Sequence, residues 1–111
     1  MTIYDLFQEA LDSGLSPTEA MQAILQDDEV QRILTLGGDS WEDECQLYIA
    51  LAEIQLEFDM LQPDICEMGI QAIETALAFD ETETQFGDPK HARTAAERRE
   101  WLLRLHERLT G

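Results

Sequence analysis

Two histidines, two cysteines and 24 aspartates and glutamates are the side chains through which this 111-residue chain could do chemistry. A carboxylate-rich helical bundle can hold a pair of metal ions, which takes two Glu-x-x-His pairs and two further glutamates aimed into the core. Neither histidine fits, because His106 is preceded three residues earlier by Leu103 and His91 by Asp88. The stretch Asp80-Glu81-Thr82-Glu83-Thr84 offers oxygens to calcium but lacks the sixth-position glycine and twelfth-position glutamate of an EF-hand loop. Cys45 and Cys66 lie 21 positions apart, outside any CxxC or Cys/His cluster and without a cationic neighbour to lower a thiol pKa. They read as reduced core thiols. No Gly-x-Ser-x-Gly or phosphate-cradling loop occurs. Gly37-Gly38 precedes a helix start, where an anion could bind, yet Asp39, Glu42, Asp43 and Glu44 would repel phosphate, so the pair reads as a hinge or cap. The chain is therefore expected not to be an enzyme, with no catalytic residue, no metal and no cofactor.

What remains is charge, and its distribution is uneven. The formal net charge is -17. Residues 1–89 hold 21 acidic side chains and one basic, Arg32, whereas residues 90–111 hold three acidic and six basic. No cation lies between Ile33 and Pro89. Binding to nucleic acid relies on cations that replace counterions around phosphates, so direct nucleic-acid binding is not expected, and neither is an anionic membrane surface. The longest apolar run, Leu47 to Ala52, falls far short of the roughly 20 residues that span a bilayer. Asp5 interrupts the region a signal peptide would keep apolar, and the first basic residue is Arg32; a cytoplasmic protein is expected.

Helices must position these charges. Hydrophobic content of 44% is enough for one folded domain across 1–111, and no stretch alternates with period two. Thr2 with Asp5 resembles a capping box, Ser13-Gly14 stops the first helix, and Ser16-Pro17-Thr18-Glu19 starts the second. Asp27-Asp28-Glu29 either interrupts that helix or opens a short one through Ile33, Leu34 and Leu36. Asp39-Ser40 caps the longest helix, about Trp41 to Leu61, with Leu47, Leu51, Ile54, Phe58 and Leu61 as its core stripe. A tight reversal at Gln62-Pro63-Asp64 leads to a helix of about Asp64 to Phe79, carrying Cys66, Ile70, Ile73 and Leu77. These two are expected to form a central antiparallel hairpin, with Gly69 allowing close approach. Residues 1–79 form the acidic body, 80–88 a polar connector containing Phe86, and 89–111 a basic terminal helix starting at 89 or 95 and docked by Trp101, Leu102, Leu105 and Leu109. The fold class is all-α, a compact bundle of five to six short helices.

Within that hairpin, Asp43, Gln46, Glu53 and Glu57 follow helical spacing opposite the leucine stripe, and Asp64, Glu67, Gln71 and Glu74 do the same on the next helix. Solvated helices ordinarily place Lys or Arg three or four residues from Glu, a pairing that contributes about 0.2 to 0.5 kcal/mol, while like charges at that spacing cost as much. Glu53 and Glu57 are such a like pair. Two outer faces of carboxylates point to a basic protein partner, such as a nuclease or a nucleic-acid-binding protein, met by inhibition, immunity or nucleic-acid mimicry. The partner-binding residues are expected to be Asp43, Glu53, Glu57, Asp64, Glu67 and Glu74, with Trp41 as an aromatic anchor. The basic terminal helix could instead complete the acidic faces within the chain, or across a homodimer. The alternative function is a helical scaffold or assembly chaperone that grips a partner helix in an apolar groove.

Overall fold

The computed structural model describes residues 2–38, 40–78 and 94–111, which form six α-helices and, among the described residues, no strand. They are α1 (Ile3–Asp12), α2 (Pro17–Leu25), α3 (Asp28–Leu36), α4 (Trp41–Glu57), α5 (Pro63–Ala78) and α6 (Ala95–Thr110). The polar connector expected over 80–88, with Phe86, and the residues Phe79, Lys90, His91 and Arg93 lie outside the described residues. The radius of gyration, 13.2 Å, matches the roughly 13 Å of a folded chain of about 100 residues. No described helix is long and apolar enough to cross a membrane.

The starts of α1, α2, α3, α4 and α6 are each set by a side chain that accepts an otherwise orphaned backbone N–H. Asp5 N donates to Thr2 Oγ1 at 3.2 Å while Thr2 N donates to Asp5 Oδ2 at 3.1 Å, and Ser16 and Glu19 repeat the exchange at α2. Asp27 accepts from Glu29 N at 3.0 Å and Val30 N at 3.3 Å, so the acidic run opens a separate short helix. Ser40 caps α4 and Thr94 caps α6. Thr94 places the start of α6 at the later of the two expected positions. Gly37 closes α3 at φ 86°, and a Cβ on Gly38 would meet Asp43 Cβ and Ser40 O at 3.1 Å. The glycine pair is thus a cap and a close turn onto α4.

Helix α4 ends at Glu57, four residues before the expected Leu61. Asp59 takes φ 58°, Met60 N donates to Gln55 O at 2.9 Å, and Asp59 N donates to Leu56 O at 3.3 Å. That pair of bonds closes a helix with a left-handed residue. Phe58 and Leu61 still pack, Phe58 against Phe7 with ring centroids 5.0 Å apart.

Helix α4 is the axis of the bundle. Cys45, Leu47 and every residue from Ile49 to Gln55 are buried, so it is covered on all sides rather than along one stripe. Helix α5 packs on it through small residues. Ile65, Gly69, Ala72, Ile73 and Ala76 are buried, whereas Cys66, Ile70 and Leu77 of the expected stripe sit at its half-buried edge. A Cβ on Gly69 would lie 2.5 Å from Ala52 Cβ, the close approach expected of this glycine. Gln55, fully buried, donates from Nε2 to Gln62 Oε1 at 2.9 Å and accepts from Gln62 N at 3.0 Å, tying α4 to the segment before α5. Leu102, Leu105 and Leu109 dock α6. Leu109 approaches Gly69 and Cys66, His106 meets Glu74, and Arg99 Nη1 reaches Leu77 O at 3.3 Å, so α6 runs opposite to α5.

Candidate functional site

The acidic residues expected to meet a partner fall into three environments. On α5, Asp64, Glu67, Gln71 and Glu74 are exposed along one face, as their spacing requires. Glu74 is engaged: its Oε1 lies 3.1 Å from His106 Nε2 of α6. Asp64 and Glu67 are exposed and form no ion pair among the described residues. Arg99, through its bond to Leu77 O, supplies a cation at the C-terminus of α5, where the helix dipole is negative. The basic helix therefore meets the acidic body within the chain, lying along α5 from Leu77 to Cys66, yet Asp64 and Glu67 stay exposed beside it.

On α4 the expected outer face does not exist. Asp43 and Glu57 are exposed at opposite ends, roughly 21 Å apart at 1.5 Å per residue. Between them, Gln46 is half-buried and Glu53 is 5% exposed. This corrects the placement of Glu53 on the outer face. Helical spacing puts it opposite the leucines, but α1 and α6 cover that side. The hydroxyl of Tyr4 in α1 donates to Glu53 Oε1 and the indole Nε1 of Trp101 in α6 donates to Oε2. Each carboxyl oxygen thus accepts a donor from a different helix, which is what makes burial of the group tolerable. Glu53 is a structural tie between the two ends of the chain. Trp41, expected as an aromatic anchor, is half-buried against the core.

A feature the spacing did not disclose lies between α1, α3 and α4: a cleft of about 370 Å³. Its apolar wall is Ile3, Leu6, Val30, Ile33, Leu47 and Ala50, and its acidic residues are Asp27, Glu29 and Asp43. Arg32 engages Glu29 and holds its carboxyl below the usual carboxylate range. Asp43 makes no ion pair among the described residues. Gln46 lines the same cleft, and its Oε1 is buried without a hydrogen-bond donor among the described residues. An acceptor left so costs about 1 to 3 kcal/mol. Ile3 and Leu6 on α1 and Val30 and Ile33 on α3 recur at helical spacing, but spacing alone does not say which helices bring them together.

Neither thiol is arranged as a nucleophile. Burial, with Glu44 and Glu42 adding repulsion, pushes the Cys45 thiol up, and burial with Glu44 pushes the Tyr48 hydroxyl up. Cys66 Sγ lies 3.5 Å from Leu109 O. Both cysteines are free. Among the described residues, no three His, Cys, Asp or Glu side chains converge as metal ligands would. No protein-family model, no curated protein and no solved structure matches this chain.

Proposed function

We propose that the chain is a non-enzymatic interaction protein that binds a basic protein partner through its acidic surface, in the manner of an inhibitor, an immunity protein or a nucleic-acid mimic. In this reading α4 and α5 form an antiparallel hairpin, which the Gln55–Gln62 pair beside the turn and the Ala52–Gly69 contact further along support. The observation that carries the reading is that Glu57, Asp64 and Glu67 stay exposed and, among the described residues, in no ion pair, although the chain's own basic helix is docked alongside. Carboxylates unmatched by cations raise encounter rates with a basic surface and penalise acidic competitors.

The test is capture of a partner by the tagged chain beside a Glu57→Gln, Asp64→Asn, Glu67→Gln variant. A partner should be retained at about 0.1 M salt, where the Debye length is about 10 Å, and released at about 1 M, where it is about 3 Å. The neutralised variant should retain markedly less. Equal capture by both forms would remove the acidic face from consideration. The apolar wall of the α1/α3/α4 cleft favours a second reading, a scaffold that grips a partner helix by apolar contact alone. Capture that survives high salt would mark it.

A further inference from the structure

We propose that the cleft between α1, α3 and α4 is the docking groove for a basic amphipathic helix of the partner, an inference that rests on the basic-partner reading above. The groove combines two chemistries in one place. Ile3, Leu6 and Ile33 are half-exposed at its mouth above the buried Val30, Leu47 and Ala50, so an apolar side chain entering it would meet apolar surface from three helices. Asp27, Glu29 and Asp43 belong to the same cleft, so the residues flanking that side chain would meet carboxylates. An amphipathic helix with Lys or Arg beside its apolar stripe matches this pattern, whereas an acidic or purely apolar helix matches half of it.

Gln46 is the independent observation. Its carbonyl is a buried acceptor without a donor among the described residues of the cleft wall, and Lys and Arg are side chains that bring only donors. A turn of the half-buried Gln46 amide toward the cleft would present that acceptor to a partner cation reaching past Asp43, three residues earlier on the same helix face. The Arg32–Glu29 pair is exposed and lies within one helix, so its guanidinium can be exchanged for a partner's. The cleft is also distinct from the α5 face, which allows the two to be tested apart.

The probe is a synthetic Leu/Lys helix with a continuous apolar stripe, set against a scramble of the same composition and charge without the stripe. Affinity for the full chain is read by fluorescence anisotropy, and the site by amide chemical shifts. The striped peptide should bind at least about tenfold more tightly than the scramble. It should shift the amides of Ile3, Leu6, Ile33 and Gln46, and lose affinity in Leu6→Gln with Ile33→Gln and in Asp43→Asn. Gln46→Leu, which removes the orphaned acceptor and should fold at least as well, supplies a variant whose loss of binding cannot be unfolding. Equal binding of striped and scrambled peptides, or shifts confined to α5 with loss only in the Glu57, Asp64, Glu67 variant, would overturn the groove and leave the acidic-surface reading standing. No salt-dependent binding of either peptide would overturn both. A concentration-dependent dimer abolished by Leu6→Gln with Ile33→Gln would assign the groove to a second copy and overturn the partner helix as its occupant.

Discussion

Glu53 is where residue type and environment part most sharply. A glutamate opposite a leucine stripe belongs on a solvated face unless other elements cover that face, and here Tyr4 and Trp101 do so while supplying one donor to each carboxyl oxygen. The donors come from residues 49 positions earlier and 48 later, so no local pattern could announce them. Removing the shared acceptor leaves the Tyr4 hydroxyl and the Trp101 N–H without it, and buried donors left unmatched cost more than the bond itself contributes. Glu53→Ala should therefore lose about 3 kcal/mol in urea unfolding, and Tyr4→Phe about 1 to 2 kcal/mol. Because both changes break the same contact, the double variant should lose less than the two added together. Strict additivity, or a Glu53→Ala variant as stable as the parent, would show that the tie carries no stability.

At the scale of helices, the stop of α4 is the instructive case. Phe58 and Leu61 continue the alternating steps of four and three, so periodicity carries the helix to Leu61; the chain instead turns at Asp59 with φ 58°. That position ordinarily takes glycine, since a side chain in the left-handed region costs about 1 to 2 kcal/mol, less for Asp than for most residues. Its carboxylate also faces the negative end of the helix dipole, unfavourable by about 0.3 to 1 kcal/mol. Asp59→Gly should raise the urea midpoint by the equivalent of about 1 kcal/mol with an unchanged slope; a lowered midpoint would mean that the aspartate side chain supports the turn. The starts of α1 and α2 were legible because the capping exchange spans four residues and depends on nothing distant, whereas α6 offered two starts, at 89 and 95, of which Thr94 caps the second. The α3 start left two readings because Asp27 could belong to α2 or cap a helix of its own, and the backbone N–H groups of Glu29 and Val30 decide it. The stripe of α4 was legible, but not that the helix is covered on every side, and for that reason the α4 half of the acidic face was misplaced while the α5 half, with one side in solvent, was read correctly.

For the whole molecule, the net charge of -17 is tolerated in part because acids occupy the first turn of every helix, as with Asp5, Glu19, Glu29, Asp43, Asp64 and Glu97, where each faces a positive dipole end. These local interactions and the long-range repulsion respond to salt over different distances. A first-turn acid lies within one turn, about 5 Å, of the N–H groups it complements. Repulsion acts between carboxylates spread over a body of 37 × 27 × 25 Å. At about 0.01 M salt the Debye length, about 30 Å, spans the molecule, and at about 0.1 M it has fallen to about 10 Å, shorter than the molecule yet longer than a helical turn. Repulsion should therefore be relieved before the dipole interactions are screened, so the thermal midpoint should climb between about 0.01 and 0.1 M sodium chloride and level off above it. Each kcal/mol of relieved repulsion would raise it by about 4 °C. A midpoint that falls over this range would mean that pairing such as His106 with Glu74 and Arg99 with the α5 terminus outweighs the repulsion, and that the acidic surface is not held at a cost that a basic partner would relieve.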